Sequence, residues 1–212
     1  KALTAYKQVI SNYPGSEEAK IALQDLKSVY IDLNDINAYA SYVNSIGGNI
    51  RLEVGEQDSL TYIAAEKLFM RGDNDGARRS LVNYLQTFPE GAFSSNANFY
   101  LGSIAFAKKE FDEAVQRFKS VIASGDTKFL EESVARTAEI EYLGNDYPAA
   151  LESFKRLQIV AENPENKQAA RLGIMRCALQ TGQQKDALLA ADELLKEPKL
   201  SPELEAEARY VR

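Results

Sequence analysis

One alanine recurs along this chain at an almost constant interval, and this recurrence limits the possible folds more than any other feature of the sequence. The six alanines are Ala2, Ala38, Ala77, Ala114, Ala150 and Ala187, separated by 36, 39, 37, 36 and 37 residues. Most are followed by large apolar residues four and seven positions later. A period in the range of about 20–50 residues is typical of arrays in which each unit buries its apolar face against the next. The sequence therefore predicts a stacked repeat.

The stretch 96–122 shows what one repeat contains. Its second half has apolar residues at i, i+3, i+4, i+7, i+10 and i+11, namely Phe111, Ala114, Val115, Phe118, Val121 and Ile122. This spacing predicts an amphipathic helix. Leu101, Ile104 and Ala105 predict another helix just before it, with Gly102 where two helices could approach closely. One repeat is thus expected to be a helical hairpin with one apolar side.

The pair Leu101-Gly102, followed by Ala114, Phe118 and Val121 at fixed offsets, resembles a tetratricopeptide repeat. The resemblance covers almost the whole chain, although the sequence contains no tryptophan. It implies an all-α fold, a right-handed α–α superhelix or solenoid of stacked helical hairpins. The slightly long period and the Tyr-Pro and Phe-Pro repeat ends resemble arrays of bacterial cell-envelope proteins. That likeness implies a location in the bacterial cell envelope, in the periplasm or as an outer-membrane lipoprotein.

The regular spacing of the repeats predicts that residues 1–212 form a single array. We expect this array to be a fragment of a longer protein. Complete repeats are expected at 16–46, 58–89, 95–125, 131–162 and 168–198, and half repeats at 1–14 and 199–212. Ser16 and Ser201 stand where helix N-caps are expected. The apolar residues of the two half repeats lack neighbours in this sequence, so weak self-association through exposed repeat ends is expected.

Segment 47–57 is the least regular part of the sequence. Glycines bound it, and Ile50, Leu52 and Val54 alternate with polar residues. Alternation of this kind is typical of extended backbone. We therefore expect a short extended loop here. The sequence does not indicate the role of this loop.

Composition argues against several classes of function. The chain has 25 basic and 31 acidic residues and a net charge of −6, so no nucleic acid partner is expected. No apolar run approaches the ~20 residues that cross a bilayer, so direct membrane insertion of this fragment is not expected. The absence of histidine rules out Ser-His, Cys-His and His-metal arrangements among these residues. Cys177 is interpreted as a buried structural thiol. We expect no catalytic residue, no metal and no cofactor.

The resemblance also implies where a partner would bind. In tetratricopeptide repeats the first helix of each hairpin lines a concave face, which usually holds a peptide or a partner segment. The positions that correspond to this groove are Tyr62, Glu66, Phe99, Tyr100, Ser103, Arg136, Glu139 and Arg176. Tyr62 and Glu66 replace the lysine and asparagine of the family's carboxylate clamp, so that clamp is not expected. Tyr100 is expected to be the central contact, because hot spots favour central aromatic residues.

A non-catalytic scaffold that binds a protein or peptide is the leading interpretation. Two alternatives stay open. An RNA-binding helical repeat would share a similar period, but the acidic balance disfavours it. A helical enzyme, or a helical accessory region of a larger enzyme, would need a convergent polar pocket, and no pair of titratable residues has a spacing that suggests one.

Overall fold

The computed structural model describes residues 1–47, 50–125 and 128–212, and in that part of the chain every regular element is an α-helix. The helices are α1 Ala2–Asn12, α2 Glu17–Asp32, α3 Ile36–Ile46, α4 Val54–Met70, α5 Asn74–Thr87, α6 Ser94–Ala107, α7 Phe111–Ser124, α8 Leu130–Leu143, α9 Tyr147–Val160, α10 Pro164–Gln180, α11 Gln184–Leu194 and α12 Pro202–Val211. The predicted all-α fold is confirmed. Ser16 and Ser201 cap α2 and α12 as expected, accepting bonds from the N–H groups of Ala19 and Leu204.

Two compact units make up the chain, Lys1–Leu101 and Gly102–Arg212. In the first unit α1 packs on α2, α4 packs on α5, and α2 also contacts α4. In the second unit α8 packs on α9, α9 on α10 and α10 on α11, and α8 also contacts α10. Each unit has its own apolar core. The division of the chain into the repeats and half repeats given above stays a prediction.

The turn inside each hairpin has the same backbone conformation. A residue with φ between 54° and 81° occupies the same place in five turns: Asn34, Gly72, Lys109, Asn145 and Gly182. The next residue then closes the preceding helix, as when Asp73 donates its N–H to the Leu68 carbonyl at 3.0 Å. The Asp73 side chain also accepts the N–H of Gly76 at 2.9 Å and so caps α5. Asp35 and Asp146 cap α3 and α9 in the same way, so in these three turns one short motif ends the first helix and starts the second.

The second helices begin before the recurring alanines. Helices α5, α9 and α11 start three residues before Ala77, Ala150 and Ala187, respectively. The recurring alanines mark positions that pack against a neighbouring helix, and they do not mark the first residue of a helix. A first helix also starts early: α10 begins at Pro164 rather than at Gln168, because proline is compatible with the first helical position.

The irregular segment 47–57 is shorter than expected, because α4 already begins at Val54. Ile50 and the three residues after it lie outside any helix, and Ile50 and Val54 are exposed. The alternation of Ile50, Leu52 and Val54 therefore spans a loop and the first residue of a helix. Gly48 and Asn49 lie outside the described residues.

Four of the recurring alanines are fully buried, which lets each helix lie close to its neighbour. These are Ala77, Ala114, Ala150 and Ala187. Ala38 is partly exposed, because the buried stripe of α3 contains Tyr39 and Val43 instead. Ala2 is exposed. In the second unit Gly102 adds to the close packing: a Cβ built on it would lie 2.8 Å from the Phe118 ring, so only glycine fits without movement of that ring.

A buried carboxylate in the first unit ties one hairpin to the loop that follows it. Asp58, at the start of α4, is 8% exposed. Its carboxylate accepts bonds from the Tyr84 hydroxyl at 2.6 Å and from the Ala92 N–H at 2.9 Å. The Tyr84 oxygen accepts the N–H of Phe93 at 3.0 Å. Burial, with the bond to Asp58, raises the pKa of Tyr84. The loop between α5 and α6 is therefore held by a connected polar network.

Glu131 has a similar role in the second unit. From the first turn of α8 its carboxylate accepts the N–H groups of Glu162 and Asn163, at 2.9 and 3.1 Å, and the side-chain amide of Asn166 at 2.7 Å. Burial works against ionisation of this carboxyl, but the hydrogen bonds outweigh it and hold its pKa below the usual value. The loop that leads into α10 is thereby fixed to α8.

Replacing Glu131 by glutamine is expected to destabilise the protein more at neutral pH than in acid. A carboxyl whose folded pKa is depressed stabilises the fold above its unfolded pKa of about 4.3, and loses that contribution as pH falls through the folded pKa. Urea unfolding at about pH 7 and about pH 3 measures the difference. Glu152→Gln, on an exposed side chain of α9, is the control and should change little at either pH. An equal loss of stability at both pH values would contradict the assignment.

Candidate functional site

The predicted groove residues of the first unit form a cluster in which the hydroxyl groups are used internally. Tyr62 and Tyr100 both donate to the same oxygen of Glu66, at 2.6 and 3.1 Å. Asn96 donates to the Tyr62 oxygen at 3.2 Å. Tyr62 is 2% exposed and Tyr100 is 7% exposed. Burial, followed by the nearby Glu66 carboxylate, raises the pKa of both phenols. Little of either tyrosine is left for a partner.

The rings of this cluster pack against one another. Tyr62 stacks on Phe93 with ring centroids 4.4 Å apart. Tyr100 lies 4.6 Å from Phe69 and 5.8 Å from Phe99, which is partly exposed. Aromatic pairs in this range contribute to packing beyond the area that they bury. A contact role for Tyr62, Glu66, Phe99 and Tyr100 stays a prediction.

In the second unit, three of the predicted residues line one open cleft of about 290 Å³ between α8 and α10. Arg136 and Glu139 come from α8, where a spacing of three residues puts them on one face. Arg176 comes from α10. Ser103 lies in α6, is partly exposed, and is not among the residues that line the cleft. The structure therefore brings Arg176 together with two residues of α8 that are far from it in sequence.

The floor of the cleft is apolar. Tyr142 of α8 and Leu172 of α10 form its sides, and the buried residues Phe154 and Leu157 of α9 lie beneath them. Gly173 gives the cleft its depth, because a Cβ at this position would lie 2.4 Å from the Phe154 ring. The α10 backbone can therefore lie directly against that ring.

The α8 rim of the cleft, which we define as Glu132, Arg136 and Glu139, is a charged trio. Arg136 donates to Glu132 at 2.9 Å and to Glu139 at 3.0 Å. Its guanidinium also lies over the Phe106 ring, 4.8 Å from the centroid. The side chains of the trio are 39–45% exposed, so they border solvent while remaining fixed by each other. Two carboxylates thus share one guanidinium.

The α10 rim is a single paired arginine. Arg176 donates to both oxygens of Glu207 in α12, at 2.7 Å each. Two parallel charge-assisted bonds fix the orientation of the guanidinium. This pair raises the pKa of Arg176 and lowers the pKa of Glu207. Arg176 is therefore already neutralised by the chain itself.

Several cleft residues were not predicted from the sequence. Glu132 lies one helical turn before Arg136, and Leu172 and Ala169 lie one and two turns before Arg176, so a helical period applied to the predicted residues would have found them. Glu207 gives no such signal, because it comes from another helix.

Other kinds of site find no support in the described ranges. No group of three or more histidine, cysteine, aspartate or glutamate residues there is arranged to hold a metal ion. Cys177 is fully buried, as predicted, and burial raises its pKa to about 11, which keeps it a thiol. In the same part of the chain, no helix has the length and apolar character to cross a membrane.

Residues 64–127 match the family model of the tetratricopeptide repeat. MamA of AMB-1 is similar in structure, with 15% identity, a TM-score of 0.57 and coverage of 90% of this chain and 98% of MamA. YrrB, a TPR protein with an unusual peptide-binding site, is 12% identical, with a TM-score of 0.54 and coverage of 98% of this chain and 99% of YrrB. PilW, a type IV pilus biogenesis factor, is 14% identical, with a TM-score of 0.52 and coverage of 96% of this chain and 88% of PilW. At these identities the likeness establishes the fold alone. Among curated proteins, none matches the chain.

In the described residues the chain consists of helical hairpins. The family model matches its middle, and the structural likeness to MamA extends over 90% of its length. Together these findings define a helical repeat protein. Residues 64–127 match the tetratricopeptide repeat family, and the predicted resemblance to that family is confirmed. Repeats of this family are generally non-catalytic and serve as scaffolds for binding proteins or peptides.

Proposed function

We propose that this chain is a non-catalytic protein–protein interaction scaffold that binds a partner segment in the cleft between α8 and α10. The observation that carries the proposal is the cleft itself, with an apolar floor and charged rims on adjacent first helices. These are the helices on which the family places its ligands. Tyr142 and the rim arginines are residue types that dominate binding energy at interfaces.

The cleft is a better candidate than the Tyr62 and Tyr100 cluster because its residues are accessible. Arg136, Glu139 and Arg176 are each more than a third exposed, whereas both tyrosines are buried. A volume of about 290 Å³ is at the lower end of the range for ligand pockets. We therefore expect the cleft to take one or two side chains of a longer segment, with an affinity on the order of micromolar for the whole segment.

The remaining expectations accompany this proposal. A nucleic acid partner is disfavoured by the net charge of −6, which would repel phosphates. Weak self-association through repeat ends, and a location in a bacterial cell envelope, stay predictions. The fold likeness to a pilus biogenesis factor does not by itself supply a location.

Filling the cleft is expected to abolish binding without unfolding the protein. Ala169 is exposed and lines the cleft, so Ala169→Trp would occupy the space without disturbing the core. Peptides selected from a random displayed library on the wild-type chain should bind this variant at least about tenfold more weakly, a loss of about 1.4 kcal/mol. Fluorescence anisotropy measures the affinities, and circular dichroism checks the fold.

The matched control is Ala123→Trp, the same substitution at an exposed position of α7 that does not line the cleft. Its affinities should stay within about twofold of the wild type. Selected peptides that bind Ala169→Trp as tightly as the wild type would show that they bind elsewhere, and the cleft assignment would then be wrong.

A further inference from the structure

The charges around the cleft favour one kind of partner, and this inference rests on the proposed function. In the α8 rim two carboxylates share one guanidinium, so the trio has one negative charge in excess. In the α10 rim Arg176 and Glu207 cancel. Among the described residues that line the cleft, both arginines are thus already paired. The site as a whole is negative, in agreement with the net charge of the chain.

A carboxylate on a partner would gain little in this cleft. To reach Arg176 it would have to displace Glu207, whose two oxygens accept bonds from two nitrogens of the guanidinium at 2.7 Å each. To reach Arg136 it would have to displace Glu132 or Glu139 and approach the other one. Like charges at an interface oppose association. A cation, by contrast, can join Glu139 from solvent without breaking an existing pair.

The floor specifies the neighbouring residue. Tyr142, Phe154, Leu157 and Leu172 present aromatic and aliphatic surface, and the space against them has room for little more than one large side chain. Burying such a side chain gains free energy in proportion to the apolar area removed from water. A polar side chain in the same place would lose its hydrogen bonds to water without finding new partners.

We propose that the cleft recognises a partner segment in which a bulky apolar residue is adjacent to a lysine or arginine. The apolar side chain enters the space between α8 and α10, and the cation lies at the α8 rim beside Glu139. Arg136, held by its two carboxylates and by the Phe106 ring, orients the rim.

Three synthetic peptides test this directly. They share one short glycine–serine host with blocked ends and differ only in their centre, which is Leu-Lys, Leu-Glu or Ser-Lys. Binding to the full chain is measured by fluorescence anisotropy. Leu-Lys is expected to bind about fivefold more tightly than Leu-Glu, as one partly exposed ion pair allows. It should bind at least about tenfold more tightly than Ser-Lys, because only leucine buries apolar surface.

The Glu139→Gln variant locates the charge preference. It should reduce the difference between Leu-Lys and Leu-Glu to about twofold or less, since the trio would lose its excess charge. Glu193→Gln is the matched control: it makes the same charge change in α11, where Glu193 pairs with Lys196 outside the cleft. That variant should keep the full difference.

The outcomes separate this inference from the proposed function. If Leu-Lys binding is lost in Ala169→Trp but Leu-Glu binds the wild type equally or more tightly, the cleft binds peptides and the charge inference is overturned. A preference that survives unchanged in Glu139→Gln also overturns it. If Leu-Lys does not bind at millimolar concentration, or binds Ala169→Trp and the wild type alike, the proposed function fails with it.

Discussion

Replacing Phe118 by alanine is expected to lower the free energy of unfolding by about 3–5 kcal/mol, as for other large aromatic residues removed from a core. Phe118 is 1% exposed and lies in van der Waals contact range of the Gly102 backbone, which has no side chain to fill the space left behind. Helix backbones that already pack this closely cannot collapse further. The cost therefore includes both the lost burial and a persistent cavity.

Chemical denaturation followed by circular dichroism measures this loss. Ile159→Ala is the control, because the Ile159 side chain is 84% exposed and its removal should cost less than about 0.5 kcal/mol. Hydrogen exchange should rise first in α7 and α8, which pack on each other. A Phe118→Ala variant as stable as the control would show that α6 and α7 do not meet at this ring.

The second large effect is expected at Asp58. Asp58→Ala leaves the buried Tyr84 hydroxyl without its acceptor, and it removes the acceptor of the part-buried Ala92 N–H. An unsatisfied buried group costs about 1–3 kcal/mol, and the part-buried N–H adds less than that, so a total loss of roughly 2–4 kcal/mol is expected. The loop between α5 and α6 should also become more accessible to proteases, because the network that fixes it is gone.

A double-mutant cycle identifies the network as the cause. Tyr84→Phe removes only the hydroxyl and should cost less than Asp58→Ala. The double variant should be less destabilised than the two single losses together, because each removes a partner of the other. Strict additivity would mean that Asp58 acts through some other contact.

Local sequence patterns predicted those parts of the fold that depend on local interactions. The helical period located the helices, and the N-cap preference located Ser16 and Ser201, because both effects act within one or two turns. The recurring alanines include buried positions such as Ala114 and Ala150, but they do not indicate the helix starts. Those starts depend on which residue before the alanine can cap the helix, and the register contains no information about that residue.

The candidate site was only partly accessible from the sequence. Family positions indicated Arg136, Glu139 and Arg176, and the structure brings all three to one cleft. The same reasoning gave Tyr62 and Tyr100 as contacts, yet both are buried against Glu66. Burial of a helix position depends on the neighbouring helix, and a single sequence does not show whether an aromatic residue packs inward or faces a partner.

The five hairpin turns, with one shared conformation and different residues, make the hairpin tips exchangeable. Each tip has its left-handed residue in the same place, so we expect that the short segment around Gly182 can replace the one around Lys109 with little movement of either helix. Lysine is costlier than glycine at positive φ by roughly 1 kcal/mol. Such a graft should therefore yield a chain that tolerates higher temperature. The tips are also suitable places for inserting a tag or a reporter domain, since a new loop would lengthen the turn and leave the packed faces unchanged.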